Sequence, residues 1–306
     1  MALRVLLLRL AFASVALSRA AEPLPGTLLL DGAVIGAEVI VVGERGAISR
    51  SNDSAQNWQP VRSTVSAMLT GVSFAPGETA RQGWAAGHEA VIVFTADGGR
   101  TWTQQYQGEN LQDSFLDILA LDTQRVIAVG AYGLYQATMD GGKTWTRRKL
   151  SADDYHFNRI SRGPSGTLYL AGEHGTLLRS RDDGANWTPI PAPYDGSFYG
   201  ILPLDRQRLL AHGLRGHLYR SVDDGAKWEA VATPHPTLIA TALRLKSNYI
   251  VLGGQARGLM VSRDFGRTVA AFPELTTAVS ELLELANGMV LVVGEGGAGI
   301  LEVSPK

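Results

Sequence analysis

The sequence predicts an all-β fold, a single seven-bladed β-propeller. Three observations predict it. First, an eight-residue phrase, Ser/Thr-x-Asp-x-Gly-x-x-Trp, begins at Ser51, Thr95, Thr138, Ser180 and Ser221; the first copy has Ala55 at the Gly position, and a sixth copy at Ser262 ends in Val269 instead of Trp. The copies start 44, 43, 42, 41 and 41 residues apart. Second, a glycine stands eight residues before each phrase, mostly at the end of an apolar run: Gly43, Gly87, Gly130, Gly172, Gly213 and Gly254. A seventh, Gly294 after VLVV, has no phrase behind it. Third, each unit divides into four short strands, and radially stacked four-stranded units of about 40–45 residues are propeller blades.

Residues 1–20 precede the repeats. Arg4, an apolar run over 10–17 and the small residues Ser18 and Ala20 predict a secretory signal peptide cleaved after Ala20. Arg9 interrupts the run, which falls short of the ~20 apolar residues a membrane span needs. The mature chain, 21–306, is then exported, without a membrane span, and a soluble periplasmic monomer is expected. Seven units of ~41 residues consume it whole, so it forms one domain.

Residues 114–149 show how a unit is built. SFLDILALD, RVIAVG, LYQATM and TWTRRK alternate apolar and polar residues and are separated by turn formers, which predicts four strands. Residues 274–285 have leucines at helical spacing, but they occupy the first-strand slot of the seventh unit and are assigned to a strand. That unit ends after its third strand, and residues 24–30 are expected to supply its outer strand and close the ring. Trp84, outside the phrases, falls in a second strand and belongs to the core. The basic run Arg147-Arg148-Lys149 falls at an outer edge, where charge discourages sheet-to-sheet pairing.

Composition narrows the function. The chain has 306 residues, with 28 Lys+Arg against 29 Asp+Glu. Removing residues 1–20 takes away three arginines, leaving 25 against 29. This lacks the basic surplus that nucleic-acid binding requires. With no cysteine, disulfides, thiolate metal sites and cysteine nucleophiles are excluded. No Gly-x-Ser-x-Gly, His-Glu-x-x-His or P-loop is present.

The repeated phrase resembles the Asp-box, or bacterial neuraminidase repeat. Its structural members are Asp53, Asp97, Asp140, Asp182, Asp223 and Asp264, with Trp58, Trp102, Trp145, Trp187 and Trp228. Physically it is a hairpin clamp: the carboxylate accepts turn amides, the hydroxyl adds a bond, Gly takes the positive φ, and Trp packs between blades. An acid/base or calcium site built from these Asp residues is disfavoured, because a ring spreads them over different blades, whereas paired glycosidase carboxylates lie within ~5–10 Å.

The fuller pattern, apolar run, Gly-x-x-Gly, apolar pair and Asp-box, resembles the photosystem II stability/assembly factor family. VIAVGAYGLYQATMDGGKTW (126–145) and LYLAGEHGTLLRSRDDGANW (168–187) carry the resemblance best. It implies a non-catalytic, cofactor-free propeller that binds a membrane protein or envelope complex through one face. Family members acting on photosystem II use an arginine-rich patch, whereas the arginines here are scattered through the units. The alternative is an Asp-box glycoside hydrolase, sialidase-like or endoglucanase-like, acting on envelope or external glycans. Against it, the Phe-Arg-Ile-Pro phrase of sialidases is replaced by Phe157-Asn158-Arg159-Ile160-Ser161, in the fourth unit, and the pocket-building insertions are missing. No catalytic residue is assigned.

Strand alternation places the turns after the seven glycines on the face opposite the Asp-boxes, together with the connectors 151–157 and 191–199. The partner-binding rim expected there comprises Arg45, His88, Glu89, Tyr132, Tyr155, Glu173, His174, Tyr194, Arg215 and Arg257. Its mix of aromatic, His, Arg and Glu residues suits polar recognition. A metal site from His88, Glu89, Glu173 and His174 is disfavoured, since the pairs lie two blades apart.

Overall fold

Seven glycines, one per unit, are where the backbone of each blade comes closest to itself. In every blade the inner strand carries a bulge opposite the end of the second strand, seen as a register shift between Leu29 and Asp31 and at the six equivalent positions. The bulge pushes a carbonyl against the glycine. A Cβ on Gly43 would lie 2.1 Å from the Leu28 oxygen, and on Gly87, Gly130, Gly172, Gly213, Gly254 and Gly294 it would lie 1.9–2.3 Å from the corresponding carbonyl. The amide after each glycine donates to that carbonyl, as Glu44 N does to Leu28 O at 2.9 Å. These glycines are therefore required by close approach and not by φ, which is extended at Gly43, Gly87, Gly130 and Gly213.

The computed structural model describes residues 26–77, 81–256, 258–272, 275 and 277–303. Its sheets are seven antiparallel blades in sequence order. The inner strands are Leu29–Ile35, Leu69–Phe74, Phe115–Ala120, Phe157–Arg162, Phe198–Pro203, Ile239–Arg244 and Val279–Glu284. The last of these puts 279–284 in a strand, as assigned from the repeat; residues 274 and 276 lie outside the described residues. Blades 1 to 6 have four strands; blade 7 has three among the described residues, ending with Gly297–Leu301. No helix of the described residues is long and apolar enough to cross a membrane. The proposed signal peptide lies outside the described residues.

The ring closure differs from expectation. Leu29 and Leu30 do not form an outer strand of blade 7; they open the inner strand of blade 1, paired with Glu38–Gly43. The reason is that the Gly43 strand needs its own inner partner, and Leu29–Ile35 supplies it across the turn at Gly36.

Among the described residues the core comprises seven hydrophobic clusters, each filling the gap between two consecutive blades. Six join blades 1–2, 2–3, 3–4, 4–5, 5–6 and 6–7. The seventh closes the ring: Leu29, Val39 and Val41 of blade 1 pack with Leu285, Leu291 and Val293 of blade 7, and Trp58 seals them. Each Asp-box Trp packs onto the preceding blade; Trp102 is 3% exposed, whereas Trp58, Trp145, Trp187 and Trp228 are half-buried. In blade 6, Val269 shares its cluster with Phe265, whose ring lies beneath Arg208 at 4.4 Å. Phe265 thus supplies part of the missing Trp. Trp84 is fully buried and donates to Gln105 at 3.0 Å.

Candidate functional site

The Asp-boxes are structural clamps. In blade 3 the Thr138 hydroxyl accepts the Gly142 amide at 2.9 Å and donates to Asp140 at 2.8 Å, while Asp140 accepts the Thr144 amide and hydroxyl. Gly142 has φ 87. These bonds, from the Thr144 hydroxyl first, hold the Asp140 carboxyl down at about 2. Asp53, Asp97, Asp182, Asp223 and Asp264 each accept the same local pair of hydroxyl and amide. Their oxygens are spent inside their own turns.

On the opposite face lie the turns that follow the glycines. In blades 1, 3, 4 and 5 the two central residues of the turn both have positive φ: Arg45-Gly46, Tyr132-Gly133, His174-Gly175 and Arg215-Gly216; blade 2 has Glu89-Ala90. This is the primed turn that matches strand twist, and its first position favours Asn or Gly. Here it holds Arg, Glu, Tyr, His and Arg, with φ between 49 and 58. Left-handed backbone at such bulky residues costs of order 1 kcal/mol each, and such costs cluster at functional sites. The second position is constrained by the neighbouring connector: a Cβ on Gly46 would meet Val65 O at 2.1 Å, and on Gly216 would meet His235 O at 2.4 Å.

The rim residues are not equivalent. From blade 3 to blade 5, turn tips and connectors interlock through rings. Tyr132 meets His156 edge-on at 4.8 Å, Tyr155 stacks on His174 at 4.3 Å, and Tyr194 lies over His217 at 4.4 Å. Glu173 joins this strip, accepting the His156 amide at 3.1 Å and standing 3.7 Å from its Nδ1. Tyr132 is 64% exposed and Leu214 38% exposed. A hollow of about 320 Å³ lies between the blade 4 and blade 5 turns, lined by His174, Tyr194, Asp195, Leu214, Arg215 and His217.

Arg45, His88 and Glu89 stand on blades 1 and 2, outside this strip, and Arg257 lies outside the described residues. Among the described residues no group of three or more His, Asp or Glu side chains could hold a metal. Sequence reasoning placed Leu214 in a rim turn and His156 in a rim connector without singling either out, and it missed His217, whose signal was adjacency to the Arg215 turn. It also misjudged Arg148. That side chain is half-buried and donates to Gly184 O and Ala185 O, so it pins the blade 4 Asp-box, where a solvated edge was expected.

A second polar cluster lies on the propeller axis. The third residue of each inner strand is Asp31, Gly71, Asp117, Arg159, Gly200, Thr241 or Glu281. The Arg159 guanidinium bonds Glu281 and lies 3.7 Å from Asp117 and 3.9 Å from Asp31. Burial pushes the Asp117 carboxyl up to about 6 against the pull of Arg159, and burial together with Glu281 pushes Asp31 well up. The oxygens are largely committed: Asp31 accepts Val72 N, Asp117 accepts Ile118 N and Ile160 N, and Glu281 accepts Thr241 and Leu282 N. A carboxylate so engaged is poorly placed to serve as a nucleophile or base.

Comparison with known proteins agrees with the repeat pattern. The family described as photosynthesis system II assembly factor YCF48 matches residues 105–252. The photosystem II stability/assembly factor HCF136 of Arabidopsis thaliana is 28% identical over 169 residues, covering 52% of this chain and 41% of that protein. Its Oryza sativa subsp. japonica counterpart is also 28% identical, with 39% covered. The chain thus spans about two fifths of the length of the curated relatives it matches. Among solved structures, YCF48 bound to D1 peptide superposes with a TM-score of 0.77 at 20% identity, covering 97% of this chain and 99% of that one. YCF48 from Cyanidioschyzon merolae gives 0.76 at 17% identity, over 94% and 98%. The WD40 propeller domain of Doa1 gives 0.75 at 13% identity, over 96% and 99%, so the structural likeness speaks for the fold alone. Seven blades, six of them carrying an Asp-box, together with these partial sequence matches give the chain its resemblance to photosystem II assembly factors on a β-propeller fold.

Proposed function

We propose that this chain is an exported, periplasmic, non-catalytic propeller that holds a membrane-protein client through its turn rim. The observation that carries the reading is the strip across blades 3 to 5, where bulky residues occupy left-handed turn positions and stack on connector rings. Exposed Tyr and Arg side chains on a rigid scaffold are the composition of an interface centre. The structural neighbour YCF48 is bound to D1 peptide, so a propeller of this shape can hold a segment of another protein, which supports a protein client here. The committed carboxylates at the axis and in the Asp-boxes support the absence of catalysis.

The test is capture of partners from solubilised membranes with the tagged mature chain. Tyr132→Ala with Arg215→Glu should abolish recovery while the melting curve stays within a few degrees of the parent. Lys143→Glu with Lys227→Glu, on the Asp-box face, should leave recovery intact. The reverse pattern would place the client on the Asp-box face and overturn the rim.

A further inference from the structure

Blade 1 and blade 7 meet at the seam where the ring closes, and each brings a buried carboxylate to it. Asp31, on the inner strand of blade 1, is 6% exposed; Glu281, on the inner strand of blade 7, is 7% exposed. Like charges on adjacent strands repel, and burial strengthens the repulsion. Among the described residues, neither blade supplies a cation in contact with the pair. The cation comes from across the channel: Arg159 of blade 4 bonds Glu281 and reaches within 3.9 Å of Asp31, and its Nε stands 3.7 Å from Asp117 of blade 3.

Two further features isolate this contact. Gly71 and Gly200, at the same inner-strand position in blades 2 and 5, carry no side chain across the channel. At Gly200 an added Cβ would meet His212 Nε2 at 2.5 Å and Arg159 Cδ at 3.6 Å, so the Arg159 stem passes close beside it. At the seam itself, among the described residues, no strand is exchanged between blades 1 and 7; the two sheets are separate and are joined by side chains.

We propose that Arg159 is a clasp for ring closure: one guanidinium, spanning the channel from blade 4, neutralises the Asp31–Glu281 pair and thereby holds the seam between the first and last blades shut. A side chain of the middle blade thus does for the axis what Trp58 does for the apolar side of the seam. A buried ion contact of this kind contributes little net stability over an apolar replacement, but removing one partner leaves uncompensated charge. Loss of Arg159 should therefore loosen the seam most, because two of the three carboxylates it orphans sit there and the third, Asp117, stands alone on blade 3. Removing the two seam carboxylates as well should relieve it.

Native-state hydrogen exchange of the mature chain tests this. In Arg159→Met, the inner strands 29–35 and 279–284 should exchange about tenfold faster or more, while strand 218–221, the third strand of blade 5, stays within about threefold of the parent. The triple variant with Asp31→Asn and Glu281→Gln should return the seam strands to within about threefold of the parent. Equal acceleration in all inner strands, or no acceleration at the seam, would show that Arg159 is a general packing residue and overturn the clasp. So would a triple variant as unprotected at the seam as Arg159→Met. If Arg159→Met does not fold, the triple variant decides alone: a folded chain with a protected seam upholds the clasp, and an unfolded chain rejects it.

Discussion

Tyr155 stacks on His174 with their ring centroids 4.3 Å apart and their planes 21° from parallel. The phenol belongs to the connector entering blade 4, and the imidazole stands at the left-handed tip of that blade's own turn. The stack therefore ties the connector to the turn, and it does so at the surface, where it is unnecessary for the interblade core.

This separation of rim from core gives the first prediction. Exposed ring pairs contribute about 0.5–1.5 kcal/mol, far less than a buried aromatic side chain. Tyr155→Ala with Tyr132→Ala should lower chemical-denaturation stability by no more than about 2 kcal/mol. It should weaken client capture at least tenfold, as loss of interface aromatics does. Capture at the parent level, measured against a dilution series, would remove the strip from the binding surface.

The Asp-box tryptophans act on the other side of the balance. Trp102 is 3% exposed and its indole donates to Gly99 O at 3.2 Å. Trp102→Ala should cost about 3–5 kcal/mol in denaturant melts, from lost burial and the cavity left between blades 1 and 2. A loss below about 1 kcal/mol would refute the packing role.

Blade 6 offers a sharper comparison. Its box has Val269 in the Trp slot, and Phe265 packs into the cluster between blades 5 and 6. Arg208 and Arg244 cover that ring at 4.4 and 5.7 Å. Phe265→Ala should therefore cost about 2 kcal/mol. At the same box position blades 2 and 3 have Gly98 and Gly141, and blades 1, 4 and 5 have Ser54, Asp183 and Asp224, so an aromatic contribution there is peculiar to blade 6. Stability unchanged in equilibrium unfolding would mean that Phe265 does not substitute for Trp.

What could be read from the sequence follows from what repeats. The Gly43-type positions recur because one steric conflict, a carbonyl pressed on a Cβ, recurs in every blade. The Asp-box recurs because one turn geometry does. Both are local and chemically monotonous, so spacing alone exposes them. The rim turns were found because they adjoin those landmarks, but which of them combine was hidden. Tyr132 and His156 come from different blades, and their contact depends on how far a connector reaches. Leu29 and Leu30 take an inner and not an outer position because the end of a ring has no repeat to fix its phase; the demand of the Gly43 strand for an inner partner decides it. The axial cluster escaped for a different reason. Its positions recur at a spacing close to that of the blades, but their residues differ: Asp31, Gly71, Asp117, Arg159, Gly200, Thr241 and Glu281 share a location and not a chemistry.

The final prediction is a pH dependence with two opposed arms, both arising at that axis. The groups facing one another there are Asp31, Asp117, Glu281, Arg159 and His212. Burial raises Asp117 to about 6 in the folded chain, above its unfolded value of about 4. The folded state then holds more protons, so this group's contribution is complete below pH ~4 and is lost as pH rises through about 6. Burial lowers His212 to about 4, below its unfolded value of about 6.5, against the bond of its Nδ1 to Ile239 O. Its contribution has the other sign: present above pH ~6.5 and lost as pH falls through about 4. Subtracting variant from parent separates the arms. Across pH 4 to 6.5, parent minus Asp117→Asn should fall by about 2 kcal/mol with rising pH, and parent minus His212→Gln should rise by a similar amount. Each substitution also shifts the overall level, since a carboxamide offers one accepting oxygen where Asp117 uses both of its own, so the slope is the readout. Urea melts at half-unit pH steps measure it. Two slopes of the same sign, or a flat difference for Asp117→Asn, would mean that these groups do not carry the buried protonation states assigned to them.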